Sequence, residues 1–94
     1  MNFRHRQLGA NRHNIIINGS AFMVFSYETL VAFCLNRIYY VTETNHSATT
    51  NKHITQAKPV YADATHTVTD AELNSMVANH IAKLHLAEFQ EEYL

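Results

Sequence analysis

Seven histidines, one cysteine and a hydroxyl-rich stretch hold most of the reactive chemistry of this 94-residue chain. A metal site needs ligands that converge on one point. His80 and His85 are five positions apart, roughly 140° around a regular helix, and cannot face one ion. His46 and His53 are seven apart across a polar loop with no cysteine or acid close by, and Asp63 with His66 makes two ligands at best. The spacing predicts no metal site and no cofactor. Cys34 sits in the apolar run VAFCL, where a thiol is a small inert hydrophobe rather than a thiolate. Ser47, Thr49, Thr50, Lys52 and His53 stand together, but no Gly-rich loop, nucleophile elbow or carboxylate pair accompanies them. The expectation is that the protein is not an enzyme.

The same segment offers a second chemistry. Hydroxyls and free amides at a helix N-terminus, beside Lys52 and His53, suit an anion or a phosphate. Arg4, Arg6, Arg12, Thr49, Thr50, Lys52 and His53 therefore form a candidate anion or nucleic-acid-binding set, with Tyr39, Tyr40 and Tyr61 as exposed aromatics. The competing structural role is capping of the helix by Thr49 or Thr50. Charge weighs on both sides. The net charge is −1, yet residues 1–58 carry six basic side chains against two acidic ones, and residues 59–94 carry one against six. Seven basic residues against eight acids overall is a poor balance for phosphate binding, so nucleic acid ranks behind a protein partner.

The elements that must position these residues read as one α+β domain. A chain that is 47% apolar and 16% charged has an ordinary globular balance, and a single cysteine excludes an intrachain disulfide framework. Residues 1–12 are basic and aperiodic and read as a mobile arm. Residues 13–43 read as strands: Ile15-Ile16-Ile17 closed by Asn18-Gly19, then Ala21 to Tyr27 apolar on both faces, then Thr29 to Leu35 and Arg37 to Glu43 around a tight turn at Asn36. The expected sheet is small and antiparallel, with three to five strands. Residues 44–58 read as a polar loop with a short helix near 49–57, and Val60 to Thr67 as a connection with room for a short strand at Val60-Tyr61. Residues 69–93 read as a C-terminal helix covering the sheet. It opens with the capping box Thr69-Asp70-Ala71-Glu72 and carries Leu73, Met76, Val77, His80, Ile81 and Leu84 within a sector about 140° wide. Leu86, Phe89 and Tyr93 fall roughly 160–220° from Leu73. Either the helix breaks near His85, or it presents that stripe to a partner.

One stretch, Tyr27-x-Thr29-x-Val31-Ala32, then Tyr40-Val41-Thr42-Glu43, then Ser47-x-Thr49-Thr50-x-Lys52-His53-Ile54, resembles a family of small uncharacterised phage and prokaryotic proteins. Its members share a Y-x-T-x-(I/V)-A strand and a closing S-x-T-T-x-K-H segment. The likeness covers residues 25–56 and departs at His46, where members usually place an aromatic residue. It implies a phage or mobile-element setting rather than a reaction.

By analogy with anti-CRISPR proteins, that setting suggests a small non-enzymatic protein that binds and inhibits a host defence nucleoprotein complex. Leu86, Phe89 and Tyr93 would anchor the partner, and Glu88, Glu91 and Glu92 would meet a basic groove. The alternatives are a nucleic-acid-binding accessory protein using the basic arm, and a homodimer joined through the helical stripe. No stretch approaches the roughly 20 apolar residues of a membrane span, and the bacterial host cytoplasm is the expected location.

Overall fold

The computed structural model describes residues 3–7, 11–17, 21–44 and 46–93, with side chains as far as residue 87. The chain runs β1 (Phe3–Gln7), β2 (Arg12–Ile17), β3 (Ala21–Ser26), β4 (Thr29–Leu35), β5 (Ile38–Thr42), α1 (Ala48–Ala57), β6 (Ala64–Val68) and α2 (Asp70–Tyr93). The first five strands form an antiparallel meander, and β6 lies beside β5 and parallel to it. The architecture is α+β with a C-terminal helix, but the sheet has six strands and is mixed. The parallel neighbour follows from the connection: a parallel return needs a long crossover, and residues 43–63 supply one that contains α1.

Two cores lie on opposite faces of the sheet. Ile17, Ala21, Met23 and Phe33 pack against Leu73 and Val77 of α2. Val24, Val31, Ala32, Cys34 and Tyr39 pack on the other side, with Ile54 and Ala57 of α1 against them. Strand β3 contributes to both, which accounts for its apolar residues on both faces. A register shift between Val24 and Phe25 adds one residue to β4, so the consecutive Val31 and Ala32 both serve the α1-side core. The β3–β4 and β4–β5 hairpins turn on Tyr27-Glu28 and Asn36-Arg37, all four at positive φ. Paired left-handed residues match the twist of the flanking strands, and Asn36 adopts that conformation at small cost.

Helix α2 starts on the capping box as expected. The Thr69 hydroxyl accepts from the Glu72 amide at 3.0 Å, and the Glu72 carboxylate accepts from the Thr69 amide at 3.2 Å. Leu73 and Val77 are buried, Met76, Ile81 and Leu84 are partly buried, and the His80 ring meets Phe33 at 5.7 Å.

Several expectations are corrected here. The mobile arm of residues 1–12 is not the arrangement observed: residues 3–7 form the edge strand β1, and Arg12 opens β2. Helix α1 is capped by Ser47, whose hydroxyl accepts from the Thr50 amide at 3.2 Å, rather than by Thr49 or Thr50. The strand after α1 is Ala64–Val68, while Val60-Tyr61 forms part of a turn. Helix α2 is continuous through His85. Among the described side chains Leu84 is the last one packed on the core, and His85, Leu86 and Ala87 are exposed. Tyr39 is 1% exposed and Tyr40 half-buried, so neither is the open aromatic expected.

Candidate nucleic-acid interface

Side chains alternate along a strand, and the register therefore sorts the hairpin β1–β2. Arg4 pairs with Ile16, Arg6 with Asn14, and Arg12 with Ser26. All of these share the face that carries α1, and Arg4 and Arg6 are exposed. Arg12 reaches α1 directly, its Nη1 donating to Gln56 Oε1 at 3.0 Å. Thr49, Lys52 and Gln56 are spaced three and four apart, so they share the flank of α1 that Arg12 touches.

A buried polar chain holds α1 in place. The Ser47 hydroxyl donates to Thr50 Oγ1 at 3.3 Å, Thr50 Oγ1 lies 3.0 Å from Ser26 Oγ, and Ser26 Oγ lies 2.8 Å from His53 Nδ1. One assignment satisfies every member: Thr50 donates to Ser26, and Ser26 donates to a neutral His53 that accepts at Nδ1. Tyr39 adds a bond from its hydroxyl to the Ile54 carbonyl at 2.7 Å, and burial raises its pKa. Ser26 and His53 resemble a nucleophile and its base, but Ser26 is 2% exposed and its hydroxyl is shared between Thr50 and His53. This pair docks a helix on a strand.

The candidate set thus divides. Thr50 and His53 are buried against β3 and serve the fold, whereas Thr49 and Lys52 are exposed beside Arg12. Arg6 and Arg4 follow Arg12 along the same face of the hairpin, and none of these three or Lys52 has a carboxylate partner among the described residues. The ion pair those residues do hold, Arg37 with Asp63 at 3.0 Å, lies at the β4–β5 turn, across the sheet from β1. Arg12 Nε and Asn14 Oδ1 are buried and make no hydrogen bond, leaving one donor and one acceptor on this face.

The aromatic that sequence reasoning missed is Tyr27. Its strand-like context hid it, but it occupies a turn, is 52% exposed, and its ring lies 6.2 Å from the His53 ring. The signal for it was the pairing of Tyr27 with Glu28 between two apolar runs, a two-residue hairpin loop. Phe89, Tyr93, Glu88, Glu91 and Glu92 belong to the helical backbone of α2, but their side chains lie outside the described residues. Leu86, the remaining member of that set, is 55% exposed.

Desolvation, then the Arg12 and Lys52 charges, lowers the pKa of His53 below its ordinary 6.5. The unfolded chain therefore binds a proton at this position more readily than the folded one. The associated stability is present above pH 6.5 and declines as pH falls through the folded pKa. Stability against denaturant, followed from pH 7 down to pH 5, is expected to fall more steeply for the natural protein than for His53→Asn. Parallel curves would contradict this.

A model of a family of unknown function (DUF8033) matches residues 3–75, a span that takes in the whole of this face. A search of curated proteins and a search of solved structures each found no match.

Proposed function

The chain belongs to DUF8033, a family of unknown function, and we propose that it is a non-enzymatic protein that holds single-stranded nucleic acid on the α1 side of the β1–β2 hairpin. The observation that carries this reading is the register, which lines up Arg4, Arg6 and Arg12 on one face, with Lys52 of α1 adjoining. Cations spaced along a strand track a phosphate backbone. The exposed ring of Tyr27, next to His53, provides a surface on which a base stacks, and stacking is tolerant of sequence. Nothing in this chemistry needs a bond to be made or broken.

The test is a titration of fluorescently labelled oligothymidylate, read by anisotropy at low salt, beside a duplex of equal length. The expected result is preferential binding of the single strand, with Tyr27→Ala weakening it by about 1–3 kcal/mol. No binding at low salt would refute the proposal.

A second reading has its own support. Helix α2 is unbroken through His85, and Leu86 is exposed on the side away from Leu73. A protein partner engaged there, such as a host defence complex met in a phage setting, would survive nuclease treatment in a pull-down. Capture that is lost on digestion would favour nucleic acid.

A further inference from the structure

The other face of the β1–β2 hairpin carries a second constellation. His5 pairs in register with Ile15 and Gln7 with His13, so His5 and His13 are diagonal neighbours on the side away from the arginines. Their rings meet: His5 Nε2 lies 2.9 Å from His13 Nδ1. The ring centroids are 5.0 Å apart and the planes differ by 19°. That centroid distance is nearly the longest this nitrogen separation permits, so the rings meet edge to edge, nitrogen toward nitrogen, in a hydrogen bond. His5 is exposed and His13 half-buried, which leaves the pair open to solvent.

We infer that His5 and His13 form a two-nitrogen site for a late first-row divalent ion, Cu2+ bound most tightly, with metal binding replacing the hydrogen bond between the rings. Imidazole suits these ions, and affinity for a given site peaks at Cu2+. Two metal–imidazole bonds of about 2.0–2.1 Å at a right angle need their nitrogens about 2.9 Å apart, and the hairpin register holds the two rings within that reach. A rotation of both rings turns the two lone pairs toward a common point on the solvent side. The proton between the rings moves to the far nitrogen of its own ring, leaving His5 protonated at Nδ1 and His13 at Nε2. A neutral pair thus binds the ion with no net loss of protons, and water fills the other positions. No group of three or more histidine, cysteine, aspartate or glutamate side chains able to hold a metal occurs among the described residues, so this is a pair and not a closed cage.

Spacing along the chain conceals this site. Eight positions separate the two histidines, and only the hairpin register brings them together.

The experiment is a titration of the full chain with CuCl2 at neutral pH, followed by calorimetry and by electron paramagnetic resonance. The expected result is one Cu2+ per chain with hyperfine structure from two nitrogens. His5→Ala and His13→Ala should each lose the two-nitrogen spectrum and the tight binding phase, whereas His66→Ala and His85→Ala should keep both. Circular dichroism checks that the variants fold. The two-nitrogen spectrum of the natural protein is a criterion independent of any variant. Binding that persists unchanged in His5→Ala and His13→Ala, or a natural protein that takes up no stoichiometric Cu2+, would overturn the assignment.

Discussion

Phe33→Ala is expected to destabilise the fold by about 3–5 kcal/mol, the cost of truncating a fully buried aromatic and leaving a cavity. Phe33 is wholly buried in the core between the sheet and α2, and the edge of its ring space is taken by His80. A chain of 94 residues has about 5–14 kcal/mol of total stability at typical values per residue, so this one change removes a large part of it. Chemical denaturation should show a lower midpoint with an unchanged slope. Phe33→Leu, which keeps most of the volume, should lose much less. A midpoint for Phe33→Ala near that of the natural protein would mean that α2 does not hold the sheet as described.

The second large effect concerns binding. Arg4→Glu together with Arg6→Glu is expected to abolish the capture of single-stranded oligonucleotide while leaving the thermal midpoint close to that of the natural protein. Both side chains are exposed on an edge strand and make no ion pair among the described residues, so their reversal touches little of the fold. It does replace two phosphate contacts by two repulsions. Undiminished capture would remove β1 from the interface. A collapse of the midpoint would place the arginines in the fold rather than in binding.

What could be read along the chain and what could not follow from the physics of each element. The capping box at Thr69 and the face from Leu73 to Leu84 are local patterns within one helix, and both are present as read. Strand β3 is apolar on both sides because two helices cover it, and that too is a local pattern. Strand β1 has no such mark. All five of its residues are exposed, so it buries nothing that a periodicity could report, and it exists through pairing with β2. Strand β6 is a half-exposed edge strand with the same difficulty.

The site divides in the same way. The excess of positive charge in residues 1–58 was plain in composition. Which of those charges share a face depended on register, and register depends on turns. From sequence the hydroxyl-rich segment suits an anion seat or a cap. Ser47 caps the helix, and Thr50 and His53 bind Ser26 from 24 and 27 positions away, a pairing that no local window contains. Likewise, helix periodicity alone does not decide between a break near His85 and an unbroken helix that exposes its apolar stripe; α2 is continuous through His85.

The salt dependence of oligothymidylate binding reports whether this face holds a phosphate backbone. Three or four phosphate contacts on a single strand predict a slope of log affinity against log salt of about −2 to −3, and Arg4→Ala with Arg6→Ala should flatten it by about 1.4. A slope near zero, or one that the two substitutions leave unchanged, would contradict the assignment of this face to nucleic acid.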